Sequence, residues 1–509
     1  MNVSKQVTER PAPTTSHLDS PGATDALIRR CQWLIVIAVI IRLIAMALLP
    51  LTDTTEARYG EIARKMLETG NWVTLWHDYG IPFWAKPPLS TWVSAFSMKL
   101  FGINEFAARL PNLLLMAALI GLCFYMLRKT AGLQRAWLGA TILSTMLLTY
   151  SVSGTVMTDI SLVFATTLSM VSFWYAWQTG DKRWGWVFFA SLGLGLLAKG
   201  PVAIAFAGLG IAPWLLWQRE PLRRLLTLPW ISGTLLMCII ALPWYILAEY
   251  RTPGFLHYFI VGEYLSRFLI PGWQGDLYGN AHREPMGTIL LYWASGTFPW
   301  CLALLGLIWR RIRQRWQPAE TTSQSMRRYL LCWALVPLMF LPCRNIIPTY
   351  PLVGLPAAAM LLAIYWPHPD TRRRLLTIGI MAMFAPIVAL IFSGITVFNQ
   401  KLLPKASQLP IVEAWEQMRE NDDNPLYYLD KRYYSAEFYT RGHTRVIDNK
   451  QLEQLEKQGH GYIVILDHDY SQLSPSLQAP LKPVSSQPPA TLYHIGTSQD
   501  GNADKPDNS

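Results

Sequence analysis

Charge is scarce in this chain. Only 15% of its 509 residues are Asp, Glu, Lys or Arg, where a soluble protein carries about 25%. A soluble domain of this length is thereby excluded. Cysteine is scarce too. Cys31, Cys123, Cys238, Cys301, Cys332 and Cys343 form no C-x-x-C pair and lie in or beside apolar runs, which leaves neither a zinc site nor a disulfide framework. The N-terminal stretch is rich in Pro, Ser and Thr and holds no apolar core. Residues 1–32 therefore read as a disordered cytoplasmic tail without a cleavable signal, and the first span as an uncleaved anchor. No internal repeat is visible.

Apolar surface is abundant: 51% of residues are hydrophobic, with 22 Trp. Apolar runs of roughly 17–23 residues can cross a bilayer. Candidate spans lie near 33–51, 107–127, 134–150, 157–178, 185–198, 201–217, 228–249, 287–309, 329–342, 350–366 and 375–397, about eleven in all. The pair 185–198 and 201–217 is short, with only Lys199-Gly200 between. With the N-terminus inside, every second turn is basic: Arg128, Lys129 and Arg135; Lys182 and Arg183; Arg219, Arg223 and Arg224; Arg310, Arg311, Arg313, Arg315, Arg327 and Arg328; Arg372, Arg373 and Arg374. That alternation fits the positive-inside rule. It accounts for most of the net charge of +11, and charges so dispersed make no nucleic-acid surface. The outer side receives loops 52–106 and 250–286 and the tail after 398. In that tail PLYYLD, AEFYT, TRVID, GYIVILD and ATLYHI alternate with helix-like stretches at Ile411–Glu420 and Lys450–Lys457. A small α/β domain is expected over 398–495, with a disordered end at 496–509. The expected fold is a membrane all-α domain over 33–397 with interfacial amphipathic helices and this outer domain.

Chemistry-bearing residues gather on the outer side. In TEARYGEIARKM, the positions Tyr59, Ile62, Ala63, Met66 and Leu67 have helical spacing, which predicts an amphipathic helix lying on the interface. Asp53 and Glu56 have the spacing of a capping box, and Glu61 with Lys65 that of a surface i,i+4 pair. Glu56 is equally placed to work on a substrate. Asp159 lies near the mouth of a span, where a carboxylate needs a partner or a purpose; its bland role is a helix cap. Lys86 precedes Pro87 and Pro88, which suit a helix start. A lysine there opposes the helix dipole unless an anion sits between them, or unless it merely snorkels. The second outer loop brings Glu263, Tyr264, Arg267 and His282, and a later turn brings Arg344 and Tyr350. Arginine suits phosphate through its forked donors. Cations that hold a lipid-linked phosphate, with a carboxylate to take a proton from a nucleophile, fit glycosyl transfer from a polyprenyl phosphate.

The stretches TEARYGEIARKMLETGNWV, FWAKPPL, LAKGP, PWYILAEYRTPGFLHYFIVGEYLSRF, HREP and IPTYPL occur in this order. In combination they resemble the aminoarabinose transferase and protein O-mannosyltransferase superfamily, polytopic glycosyltransferases of the GT-C type. The resemblance runs from about residue 33 to 400. It implies a bacterial inner-membrane protein with a periplasmic active site, an undecaprenyl-phosphate-sugar donor, a lipid, lipid A, glycan or protein acceptor, inversion at the anomeric carbon, and no cofactor. Paired carboxylates alone would also allow Mg²⁺ or Mn²⁺. The resemblance carries phosphate binding onto Lys86, Arg267 and Tyr350, and a carboxylate role onto Asp159. Arg58 and Arg344 are further phosphate candidates. Glu56 and Asp53 are further catalytic candidates. Tyr59, Glu263, Tyr264 and His282 are candidates for the sugar or acceptor pocket. The chain departs from the family pattern in three places. Thr55 stands where the motif opens with Asp, Ala85 replaces the Glu before Lys86, and Tyr264 matches a His. These differences argue against lipid A aminoarabinose transfer in particular.

Two other classes compete. A transporter or flippase of lipid-linked glycans needs the same cations and an apolar groove, but the absence of a repeat counts against it. A scaffold that binds a partner through its tail leaves the outer carboxylates unexplained.

Overall fold

Helices occupy all eleven stretches where spans are expected, in a computed structural model that describes residues 21–218, 222–267, 270, 273–279, 283–314, 323–367, 372–398, 407–419, 424–459 and 461–496. In chain order they are α1 (Pro21–Leu48), α2 (Thr55–Thr69), α3 (Leu89–Phe101), α4 (Glu105–Ala131), α5 (Leu133–Thr145), α6 (Leu147–Val152), α7 (Asp159–Thr179), α8 (Lys182–Lys199), α9 (Val202–Gln218), α10 (Trp230–Arg251), α11 (Thr288–Thr297), α12 (Trp300–Gln314), α13 (Gln324–Ala334), α14 (Leu355–Tyr365) and α15 (Arg372–Phe398). Among the described residues, five (α1 from Asp25, α4, α7, α10 and α15) are long and apolar enough to cross a bilayer alone. The pair α11–α12, bent by 103°, makes a sixth if taken as one span. The remaining stretches are shorter or broken. α1 begins well before residue 33, and the tail expected at 1–32 lies outside the described residues up to 20.

Large side chains such as Ile231, Ile246 and Ile380 stand on the outside of the bundle. Such a surface is stable in lipid, where every backbone group is already paired within its helix. Inside, aromatic residues fill the core, and several of their polar atoms are paired, as burial favours. The indole N–H groups of Trp214, Trp300 and Trp333 donate to Ser325 O, Thr145 Oγ1 and Val353 O at 3.1, 3.1 and 2.8 Å.

The tail forms a five-stranded sheet from β3 (Leu426–Leu429), β4 (Thr444–Ile447), β5 (Tyr462–Leu466), β6 (Leu481–Gln487) and β7 (Ala490–Ile495), in the order β4-β3-β5-β7-β6. β4, β3 and β5 are parallel, and β7 is antiparallel to both its neighbours. A short hairpin, β1 (Trp76–Asp78) and β2 (Ile81–Pro82), precedes α3. Two local expectations fail. AEFYT is helical, in a short helix (Tyr434–Tyr439), and β6 was not foreseen because LKPVSSQ lacks an apolar alternation. The segment 496–509 is described only at residue 496.

α2 does not present an open amphipathic face. Nearly all of it is buried, Glu61, Arg64 and Lys65 included, because the tail domain covers its polar face. Gly60 allows this approach: a Cβ there would stand 2.9 Å from Leu51 Cδ1 and 3.7 Å from Phe438. The Glu61–Lys65 pair expected at the surface is instead part of a buried network. Lys65 Nζ donates to Glu437 Oε2 at 2.9 Å and lies 3.5 Å from Glu61, while Arg64 forks onto Glu61 at 2.7 and 2.8 Å. Arg432 bonds Glu437 and, at 2.9 Å, His77 O.

Candidate active site

α7 and α8 form an antiparallel hairpin across Gly180-Asp181. Helices of 21 and 18 residues rise about 1.5 Å per residue, so the chain returns nearly to its starting level. The first residue of α7, Asp159, therefore meets the last residue of α8, Lys199. Lys199 Nζ donates to Asp159 Oδ1 at 2.7 Å, and Thr349 Oγ1 donates to the same oxygen at 3.1 Å. Asp159 is thus an ion-pair partner, with no capping bond. Gly200, at φ +78, ends α8; a Cβ there would stand 2.7 Å from Phe259. Lys199 also lies 5.6 Å from the ring centre of Tyr350.

A second charged group faces the first. Residues Tyr258–Ser266 form a π-helix, a rare geometry that recurs at functional sites. It presents Glu263, which accepts from Lys86 Nζ and from Arg267 Nη1, each at 2.9 Å. Arg267 also reaches Asp276 at 3.6 Å. Burial pushes the Glu263 carboxyl up, but Lys86 and Arg267 outweigh it and hold the group below the usual carboxylate range. The anion that the position of Lys86 before α3 called for is, in this state, Glu263.

Asp159, Lys199, Glu263, Tyr264, Arg267, Thr349 and Tyr350 all line one cavity of about 480 Å³. Its remaining wall is apolar, including Phe206, Phe340 and Val353. The cavity thus combines a set of charged groups with an apolar wall.

Comparisons with known proteins show likeness in sequence and in fold. The family described as Dolichyl-phosphate-mannose-protein mannosyltransferase matches residues 34–259. An undecaprenyl phosphate-alpha-4-amino-4-deoxy-L-arabinose arabinosyl transferase of Erwinia tasmaniensis is 33% identical over 328 residues, 63% of this chain and 56% of the relative. That of Aeromonas salmonicida is 32% identical over 326 residues, 62% and 56%. The crystal structure of ArnT from Cupriavidus metallidurans bound to undecaprenyl phosphate superposes with a TM-score of 0.74 at 18% identity, over 91% of this chain and 97% of that one. The chain is thus similar in sequence to aminoarabinose transferases and to part of the protein mannosyltransferase family, and it shares the fold of ArnT. It is a multi-pass bacterial membrane protein. The matches cover a little over half the length of these curated relatives.

Within this fold the other candidate residues lie elsewhere. Glu56 is buried and committed: Arg109 forks onto it at 2.8 and 2.9 Å, and Thr52 N and Val156 N donate at 3.3 and 3.2 Å. Arg109 also binds the carbonyls of Met46, Leu49 and Pro50. This pair staples the end of α1 to α2 and α4. Asp53 forms no capping box; its carboxylate accepts from the Ser435 hydroxyl and, at 3.1 Å, from Ser435 N. It fastens the tail domain. Burial raises the Asp53 carboxyl, against these bonds. Arg58 donates to Tyr278 O at 2.8 Å and lies over the rings of Tyr59 and Phe83; Tyr59 is buried core. Arg344 is exposed, with its carbonyl taking Glu284 N at 2.8 Å. None of these five side chains lines the cavity. His282 lies outside the described residues.

Lys199, Thr349, Asp276 and Arg109 were not singled out from the sequence. Lys199 did carry a signal: a lysine in the last turn of a helix, before Gly200-Pro201, is well placed for the helix dipole and stands at the same level as Asp159.

Proposed function

We propose that this chain transfers a sugar from a polyprenyl-phosphate-linked donor to an acceptor hydroxyl or amine at the outer, periplasmic face of the bacterial inner membrane. The supporting observation is the cavity lined by the Asp159–Lys199 pair, by Glu263 and Arg267 and by an apolar wall, with Lys86 bonded to Glu263 from outside that lining. The donor's hydrocarbon lies along Phe206 and Phe340, and its phosphate between Lys86 and Arg267. The acceptor oxygen or nitrogen bonds to the anomeric carbon from the side opposite the phosphate, while the bond from that carbon to the phosphate oxygen breaks. The electron pair leaves on the polyprenyl phosphate, where Lys86 and Arg267 offset its charge; one such preorganised group is commonly worth about 10²–10³ in rate. The acceptor proton passes to Asp159. Both hydrogen bonds on that carboxylate fall on Oδ1, so among the described residues Oδ2 is open to substrate. Glu56, closed by Arg109, is a structural carboxylate in this scheme.

The curated relatives are named for an undecaprenyl-phosphate aminoarabinose donor, which makes that the first donor to try. Purified protein reconstituted in vesicles with a radiolabelled polyprenyl-phosphate sugar and candidate acceptors distinguishes the possible classes. Label on the acceptor supports a transferase. Label moved across the bilayer without a new bond indicates a flippase, and neither result indicates a scaffold. Repeating the assay in chelator tests metal use, with activity expected to persist.

A further inference from the structure

The bundle holds a second cavity, of about 350 Å³, walled by α11, α12, α13 and α14. It shares no lining residue with the ion-pair cavity. Trp333, tied to Val353 O at 2.8 Å, belongs to the same α13–α14 pair that lies between the two. Its lining is apolar, with Leu304, Leu331 and Leu361 among it, except at one end, where Arg327 and Tyr365 stand. From Ala358 to Tyr365 along α14 the groove runs about 10 Å. Arg327 stands about 10 Å along α13 from Ala334, the end of that helix nearer in the chain to the outer cavity's Phe340, and so towards the side bearing the arginine-rich turns.

The arginines around this mouth are not alike. Arg328 lies 5.0 Å from the ring centre of Trp217 and Arg313 lies 4.6 Å from that of Trp309. Among the described residues, the Arg327 guanidinium has neither a hydrogen-bond acceptor nor an ion-pair partner. An apolar slot within the membrane-embedded part, closed at its headgroup end by an unpaired cation, is complementary to an anionic amphiphile. Basic pockets between spans on this side of a bilayer are known to hold anionic lipid headgroups. A polyprenyl phosphate is the wrong occupant, because its phosphate would be drawn to the cations at the opposite end.

We infer that the groove binds one anionic phospholipid of the inner leaflet, with an acyl chain between α12 and α14 and its phosphate on Arg327. The lipid would brace the same α13–α14 pair that carries Phe340 and Tyr350 into the outer cavity.

The test is lipid retention by the full-length protein in detergent, read by native mass spectrometry. The probes are phosphatidylglycerol and phosphatidylcholine with identical acyl chains. The wild type should retain one phosphatidylglycerol and about tenfold less phosphatidylcholine. Arg327→Gln, which leaves the packing alone, should lower phosphatidylglycerol retention roughly tenfold, to the level of phosphatidylcholine. Leu361→Trp, which fills the slot, should abolish retention of both. Equal retention of the two lipids by the wild type, or unchanged retention in Arg327→Gln, overturns the inference. So does a wild type that retains no phosphatidylglycerol, which would mean that another chain segment or a polyprenyl phosphate occupies the groove. If Leu361→Trp fails to fold, Arg327→Gln alone decides.

Discussion

Glu263 shows how little a residue's role can be read from its place in a sequence. In the chain it is one acidic residue in a loop between two spans. In the structure it is the carboxylate that holds Lys86 and Arg267 together. It occupies the position proposed for the donor phosphate, so donor and Glu263 compete for the same two cations. Opposite effects are therefore expected from two substitutions. Lys86→Ala should weaken binding of undecaprenyl phosphate by about 1.5–3 kcal/mol, as a charge-assisted bond is lost. Glu263→Gln should tighten it, roughly tenfold, by freeing both cations. Equilibrium binding of the labelled lipid to each folded variant checks both signs, and a weaker Glu263→Gln would mean that the carboxylate orders the site rather than filling it. Asp159 and Lys86 were legible because each breaks a local rule: a charge in a span, and a cation before a helix. Lys199 breaks none, and Glu56 obeys its capping spacing so closely that only its partner, Arg109 in another helix, reveals its structural use.

At the scale of elements, α2 is the instructive case. Its amphipathic period was legible, but the surface it faces was not, since a polar face buried against another domain has the same sequence pattern as one facing water. The tail domain supplies the partners, with Lys65–Glu437 at 2.9 Å, Asp53–Ser435 and Leu51 N–Tyr439 Oη at 2.7 Å. His77 lies in this interface, ringed by Phe83, Tyr278 and Tyr434. Burial, then Arg432, Arg58 and Lys65, lowers its pKa to about 4 from 6.5, with Glu437 opposing. Above pH 6.5 the imidazole is neutral whether folded or not. Between 6.5 and 4 only the unfolded chain takes up the proton, so stability is lost as pH falls through that window. The melting temperature of the detergent-solubilised protein should drop between pH 7.5 and pH 5, and His77→Gln should reduce that drop. An identical drop in the variant would assign it to other groups. At the start of α2, exposed Thr55 stands where the family pattern has an acid. Thr55→Asp puts a negative charge at a helix N-terminus, so it should raise stability by about 0.3–1 kcal/mol in the same melting assay.

For the whole molecule, the placement of the eleven helical stretches was legible from their apolar runs, although among the described residues only five helices, or six with the bent pair, are long and apolar enough to cross a bilayer. The breaks were not. α11 and α12 bend by 103° within one apolar run, and nothing in hydropathy marks such a corner. The alternating arginines predict a tail domain on the outer side. Ser476 is exposed in that domain, so Ser476→Cys should react with a membrane-impermeant maleimide in intact spheroplasts, above the wild-type background. Labelling only after lysis would invert the topology and place the cavity on the wrong face for a periplasmic acceptor.

The account rests on which carboxylate lies at the reacting centre. The most direct test is a single-turnover transfer assay with radiolabelled polyprenyl-phosphate sugar, comparing Asp159→Asn with Glu56→Gln at equal amounts of folded protein. Asp159→Asn should lower the rate by about 10²–10⁴-fold without loss of folding. Glu56→Gln leaves Arg109 short of its charge partner, a loss of about 3–5 kcal/mol in stability, but each folded molecule should keep its rate. A normal rate in Asp159→Asn, together with a collapsed rate in folded Glu56→Gln, would contradict the account.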